Sequence, residues 1–400
     1  MSETCGNRGN GRREFLKKTA ATGVAVGAAS RLSAAPQPEN DFPLVTLGKT
    51  GEKVTKLGMG TSWTLSPSFV QAAIFSGIKY IDTAEGYERG TSESTLGEVI
   101  ERTGTRKQLF LVTKTHEYGR IKGEQAIHKS LEQHLEGSLK RLRTDYVDSF
   151  YLHGMSGRQI EALRDPDMKK AFEKLKKSGK IRFAGLSCHD AMLPEILEAA
   201  AEVGWFDQVM FQYNFRFVNH DKLQRAIDKA AKANLGLIAM KTQKGAESFP
   251  DKIAELKEKG FKKEVAAIKA VYQDQRMQVV VSEMTNRTEL RENMGAVKDP
   301  LTKKEAMLLE EHRLKTANMY CHGCGHLCET AAKGVPVATV LRYLRYYTAY
   351  GKRQEARALY QALPAEARDL AAADLAAAEK ACPFGLPVAQ LVQIADHRLS

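Results

Sequence analysis

Eight short apolar runs punctuate the chain between residues 57 and 282: LGMG, IKYID, LFLVTK, YVDSFYLH, IRFAGLS, QVMFQYN, LGLIAMK and MQVVVS. Most are apolar at odd and even positions alike, which predicts strands buried on both faces, as in a parallel sheet. Between them the period changes to that of a helix. From Ile127 to Arg143, Ile127, Leu131, Leu135 and Leu139 recur every four residues and Leu142 follows three further on, so one face is apolar and the other polar. Ahead of the first run, LVTLGKTGEKVTKL (44–57) predicts a hairpin that turns at Lys49-Thr50-Gly51. Strands alternating with helices predict a parallel α/β fold, and eight of them a (β/α)₈ barrel over residues 40–300. From residue 301 to 400 the strand runs cease and the pattern reads as helical, starting with KKEAMLLEEHRLK. No run of about 20 apolar residues is present, so no stable membrane span is expected.

Four polar residues sit at or just past the ends of the early strand runs: Asp82 and Tyr87 in IDTAEGY, Lys114 in FLVTK and His153 in FYLHG. In a parallel barrel these ends share one rim, where such barrels keep their chemistry. An acid, a tyrosine, a lysine and a histidine converging there make a proton-donating site. A free tyrosine has a pKa near 10 and is a reluctant acid or base at neutral pH; a nearby ammonium favours its ionised form.

The order DTAEGYERGTSESTLGEVI, VTK, LH, GLS and FQYN resembles the aldo-keto reductase family over residues 44–298. The resemblance implies hydride transfer between NAD(P)H and a small carbonyl or alcohol substrate. It implies Tyr87 as proton donor, Lys114 tuning it, Asp82 pairing with Lys114, and His153 orienting the substrate oxygen. For the dinucleotide it implies contacts from Gly60 and Thr61, from Ser187 and Gln212, from Met240 and Lys241, and from Ser282, Met284, Asn286 and Asn293 in the last βα loop. Two departures stand out. Cys188 replaces an asparagine beside Ser187, and Met240-Lys241-Thr242 stands where many relatives place an aromatic over the nicotinamide. Glu283 and Glu289 occupy positions that are cationic in NADP-preferring relatives, and carboxylates there repel a 2′-phosphate. NAD is therefore favoured over NADP, although Arg287 and Arg291 lie close by.

The first 35 residues read as an address. Gly11-Arg12-Arg13-Glu14-Phe15-Leu16-Lys17 followed by TAATGVAVGAAS resembles a twin-arginine export signal, which implies the twin-arginine machinery as a partner and the periplasm or cell envelope as destination. Net charge is +12. The C-terminal share, Arg342, Arg345, Lys352, Arg353 and Arg357, reads as a solvated helix face or as a surface for an anionic partner. No recognition module accompanies the charge, so nucleic acid is not expected. Four of the six cysteines fall in the last quarter as Cys321-x₂-Cys324-x₃-Cys328 and a distant Cys382-Pro383. That set resembles ferredoxin-type ligation of one [4Fe-4S] cluster, as found in a subset of aldo-keto reductases, and implies a possible redox partner protein. Zinc, with His322 or His326 joining the cysteines, is the alternative; two disulfides are a further one for an exported chain. A retained barrel without carbonyl chemistry, serving electron transfer or binding, is the alternative function.

Overall fold

The computed structural model describes residues 42–63, 66–118, 121–190, 192–243 and 261–400. Contacts divide the chain into Met1–Asn40 and Asp41–Ser400. The export motif at 1–35 lies outside the described residues, as does most of the segment that follows Gln243.

All eight predicted strands form. They are β3 (Leu57–Gly60), β4 (Tyr80–Asp82), β5 (Phe110–Thr115), β6 (Val147–Met155), β7 (Ile181–Cys188), β8 (Gln208–Gln212), β9 (Gly236–Met240) and β10 (Val279–Glu283). They close into one parallel barrel in the order β10-β3-β4-β5-β6-β7-β8-β9. The predicted hairpin is β1 (Leu44–Thr46) against β2 (Lys53–Thr55). Its Leu47 and Val54 cap the bottom of the barrel interior, packed with Tyr80, Phe110, Tyr151 and Ile238.

Around the barrel run α1 (Pro67–Phe75), α2 (Thr91–Thr103), α3 (Glu124–Leu142), α4 (Glu161–Arg164), α5 (Pro166–Lys177), α6 (Leu193–Val203), α7 (Asp221–Lys232), α8 (Lys263–Val271) and α9 (Arg287–Lys298). The spacing read in α3 is the reason it docks: Ile127, Leu131, Leu135, Leu139 and Leu142 are all buried, each worth about 1.5–3 kcal/mol as an upper bound. Arg143 ends it in the left-handed conformation, φ 52°.

Interior and exterior residues alternate along each strand, because a strand has period two. Tyr80, Phe110 and Val112, Tyr151, Met210, Ile238, and Val279 and Val281 face inward, while Ile81, Leu111, Leu152 and Val280 face the helices. Gly185 exists for this interior. A Cβ there would lie 2.2 Å from the Tyr151 ring, and Tyr151 cannot retreat because its hydroxyl donates to Gln208 at 2.7 Å. Gly185→Ala is therefore expected to destabilise the barrel by about 1–3 kcal/mol through overpacking. Chemical unfolding checks this, and an unchanged midpoint would mean the interior is softer than the packing indicates.

The C-terminal segment forms α10 (Lys303–Lys315), α11 (Gly325–Ala331), α12 (Val337–Thr348), α13 (Arg353–Gln361), α14 (Leu375–Lys380) and α15 (Val388–Leu399). The expected long helical stretch is thus several short helices. Gly334 and Pro336, Gly351, and Pro364 interrupt it, since glycine costs about 1 and proline about 3 kcal/mol inside a helix. Helices α11 to α15 share a core of their own around Val340, Tyr360 and Val392, whereas Leu308 and Leu309 of α10 pack with Phe215, Phe261 and Ala266. Among the described residues no helix is long and apolar enough to cross a membrane.

Candidate active site and cysteine pocket

The interior rows continue upward to the barrel mouth and change from apolar to polar there. Tyr80 leads to Asp82, Val112 to Lys114, Tyr151 to His153, Gly185 to Ser187, Met210 to Gln212, Ile238 to Met240 and Val281 to Glu283, each two residues on. Period two thus places these side chains on one ring around the mouth.

Asp82 and Lys114 are buried neighbours, with Lys114 Nζ 2.6 Å from Asp82 Oδ1. The same ammonium donates to the Thr83 carbonyl at 2.7 Å and to Tyr87 Oη at 3.3 Å. The ammonium thus combines one ion pair with two hydrogen bonds. Because the Tyr87 oxygen accepts from Lys114, its own hydrogen is left to point elsewhere. Tyr87 reaches the mouth through a tight turn in which Glu88 (φ 48°) and Arg89 (φ 56°) are both left-handed, at about 1–2 kcal/mol each. His153 lies edge-on to Tyr87 at 5.4 Å between ring centroids.

Burial governs the ionisation of this group. Desolvation raises Tyr87 well above the ordinary tyrosine value, with the negative charges of Asp82 and Glu283 adding to it. That direction is opposite to the expected tuning by Lys114. The Asp82 carboxylate already neutralises the ammonium, so removal from water decides. Desolvation likewise raises Asp82 and lowers Lys114. It lowers His153 well below its ordinary value, with the charges of His116, Lys114 and His189 adding. Tyr87 is held protonated and His153 neutral.

His116 is a neighbour the sequence reading missed: its ring stacks on His153 at 4.3 Å. The signal was present, because His116 lies two residues beyond Lys114 on the same strand face. His116, His153 and His189 all have lowered proton affinity, burial being the first cause in each. The unfolded chain takes up protons at these histidines near pH 6.5 while the folded chain does not. Stability is therefore expected to fall as pH drops below about 6.5. Thermal unfolding followed from neutral to mildly acidic pH tests this, and a constant midpoint would contradict it.

The expected cofactor residues divide into two groups. Ser187 accepts from the Gly154 N–H at 2.9 Å and keeps its hydroxyl hydrogen to donate. Gln212 donates through Nε2 to Tyr320 Oη at 3.1 Å, leaving its carbonyl oxygen to accept. Lys241 (φ 56°) donates to Tyr346 Oη at 2.8 Å. These, with Gly60 and Met240, lie at the mouth. Thr61 donates to the Asp82 carbonyl at 3.0 Å and buttresses the acid instead. Ser282 and Met284 alternate to the helix side of β10. Met284 is fully buried, Ser282 accepts from Asn293 at 2.9 Å, and Asn286 caps α9 through the N–H groups of Thr288 and Glu289. That second group shapes the last βα loop. Glu283 bonds Ser62, and Glu289 accepts from the Thr285 N–H at 2.7 Å. Cys188 is fully buried in the core, as a packing residue would be.

Residues 63–247 match the aldo/keto reductase family. Among curated proteins the chain is similar to methylglyoxal reductase YeaE of Escherichia coli, 34% identical over 156 residues, which is 38% of this chain and 50% of that protein. It is also similar to the uncharacterized oxidoreductase YqkF of Bacillus subtilis, 30% identical over 162 residues, 40% of this chain and 50% of that protein. The chain thus spans about half the length of the curated relatives it matches. Among solved structures, aldo-keto reductase AKR11C1 of Bacillus halodurans in its holo form shares the fold, with 21% identity, a TM-score of 0.54, and coverage of 68% of this chain and 96% of that one. The aldo-keto reductase of Klebsiella pneumoniae in complex with NADPH does so too, with 24% identity, a TM-score of 0.52, and coverage of 68% and 95%.

The barrel mouth is sealed by residues that lie beyond the family match. Tyr346 of α12 bonds Lys241 and approaches His189 Nε2 at 3.5 Å. Lys352 donates to the Ser62 carbonyl at 3.3 Å. Arg342 and Arg345, read as a solvated face, instead turn into the protein: Arg342 donates to the His189 carbonyl at 3.0 Å, and Arg345 lies 3.7 Å over the Tyr320 ring.

Cys321, Cys324, Cys328 and Cys382 all line one small cavity, whose other walls include Val337, Leu341, Phe384 and Val388. All are free thiols, as is Cys188, so the disulfide alternative is not seen among the described residues. Burial pushes Cys324 up to about 11 and Cys328 up to about 12, and the nearby Cys321 adds to both. His322 stacks flat on Phe384 at 3.7 Å, and the side chain of His326 lies outside the described ones. Among the described residues no three His, Cys, Asp or Glu side chains form a single-ion site. As they stand, the cysteines do not offer the closed tetrahedral set that structural zinc uses.

Proposed function

We propose that the chain is an NAD(P)-dependent oxidoreductase of aldo-keto reductase type, acting on a small carbonyl or alcohol. The observation that carries this reading is the Asp82–Lys114–Tyr87 contact set beside His153 at the barrel mouth. The residues that would hold the nicotinamide end are Ser187, with a hydroxyl to donate, and Gln212, with a carbonyl oxygen to accept. When bound, the dinucleotide supplies or takes the hydride. The chain does the rest. Neutral His153 orients the carbonyl oxygen, Tyr87 Oη gives its proton as negative charge grows there, and Lys114 stabilises the phenolate left behind.

The curated relative that is a methylglyoxal reductase and the solved neighbour with NADPH support the reaction class. Glu283 and Glu289 favour NAD over NADP for this chain by charge. Protein purified without air should consume NADH with a panel of small carbonyls. It should bind NADH more tightly than NADPH, and Glu283→Lys should narrow or reverse that order. Binding of neither nucleotide would remove the reading, and a clear NADPH preference in the unaltered protein would remove its charge argument.

The cysteine cavity supports one [4Fe-4S] cluster. Cys321, Cys324, Cys328 and Cys382 all line it, no carboxylate does, and most of its other walls are apolar. These four cysteines would hold the cluster, and the cluster would supply one-electron chemistry. The twin-arginine motif supports export of the folded, loaded protein to the periplasm or cell envelope. A second reading is a barrel kept for electron transfer or binding. It draws on Tyr320 and Tyr346, which bond the same rim residues that the dinucleotide would use.

A further inference from the structure

Between the barrel rim and the cysteine segment lies a second cavity, partly open to solvent. Its polar wall holds His189, Asp190, His322, Arg342 and Arg345, and its apolar wall holds Leu193, Pro194, Phe217 and Leu223. Three buried polar atoms of these lining residues have no hydrogen-bond partner: His189 Nδ1, His322 Nε2 and Arg342 Nε. His322 is 5% exposed. An unmet buried donor costs about 1–3 kcal/mol, and sites that bind ligands are where such groups persist.

The charge is one-sided. Two guanidinium groups line the cavity and Asp190, 3.6 Å from Arg342, is the one carboxylate among the lining residues. Lys241 adds positive charge from behind, since it depresses the proton affinity of His189. The cavity also adjoins the mouth. Gln212 belongs to both, and His189 is close enough to act on His153.

We propose that this cavity binds an organic anion, a carboxylate or phosphate on an apolar body, and that it receives the charged end of the substrate. The proposal rests on the oxidoreductase reading for the word substrate, but the binding stands without it. Arg342 and Arg345 neutralise the anion, the unpartnered imidazole and guanidinium nitrogens complete its hydrogen bonds, and the leucine, proline and phenylalanine wall takes the body.

The test is calorimetric titration of the full, anaerobically purified protein with α-ketoisocaproate, with its uncharged methyl ester, with isobutyl phosphate and with inorganic phosphate. The acid or the organic phosphate should bind about 10- to 100-fold more tightly than the ester, the range that charge-assisted hydrogen bonds supply, and whichever is tighter identifies the head group. Arg342→Gln and Arg345→Gln should each weaken that binding about tenfold and leave the ester unchanged. An ester that binds the unaltered protein as tightly as the acid overturns the proposal without any variant. So does inorganic phosphate binding as tightly as either organic anion, because the apolar wall would then contribute nothing. Anion binding intact with no consumption of NADH or NADPH would instead count against the oxidoreductase reading alone.

Discussion

Tyr87→Phe is expected to lower kcat by about 10²–10⁴, the range that a positioned general acid supplies, while dinucleotide affinity stays within a few-fold. The substitution removes one oxygen and one proton and keeps the ring. Lys114 loses its 3.3 Å contact but retains Asp82 at 2.6 Å and the Thr83 carbonyl at 2.7 Å, so the buried ammonium stays satisfied and the fold survives. The hydroxyl is needed only as charge develops on the substrate oxygen, so its loss falls on kcat and kcat/KM together. The raised proton affinity of Tyr87 gives the test a second axis. A tyrosine held protonated by burial serves the reductive direction throughout the neutral range. With His153 held neutral by the same cause, no histidine limb should bend the reductive profile near pH 6.5. Steady-state rates of both proteins across that range decide the matter. A phenylalanine variant within a few-fold of the parent would take Tyr87 out of the chemistry.

The strands were legible because the sequence patterning is redundant there. Each run is apolar on both faces and bounded by helical periodicity, so neighbouring assignments constrain one another. The mouth was legible for the same reason: Asp82, Lys114 and His153 extend interior rows whose lower members, Tyr80, Val112 and Tyr151, are unmistakably core. His116 shows how much period two could have added, since it repeats the face of Lys114. Ser282 and Met284 show the reverse. Family likeness placed them at the cofactor, whereas alternation along β10 turns them to the helix layer. The C-terminal helices were the least legible. Arg342, Arg345 and Tyr346 have the spacing of an ordinary amphipathic helix, and nothing local says that the polar face meets a barrel rim. That information lies in contacts such as Lys241 to Tyr346 and Gln212 to Tyr320, separated by 105 and 108 residues.

Cys382→Ser is expected to cost the protein its iron. Protein isolated without air should be brown, with about four irons per chain if one [4Fe-4S] cluster is held, and the serine variant should retain only a small fraction of them. Cys382 is remote in sequence yet lines the same cavity as Cys321, Cys324 and Cys328, and the flat stack of Phe384 on His322 joins its loop to theirs. Three thiols would leave one corner of the cluster without a sulfur ligand. The thiols favour their protons because burial comes first among the causes that raise them, so a bound cation has to displace those protons and its affinity couples to folding. Loss of metal should therefore also loosen the core around Val340, Tyr360 and Val392, seen as a lower unfolding temperature. Cys188→Ser is the control: Cys188 is buried in the barrel layer and does not line the cavity, so that variant should keep its iron. Equal iron in the Cys382 variant and the parent would remove Cys382 as a ligand, and one zinc per chain without iron would decide for the tetrahedral alternative.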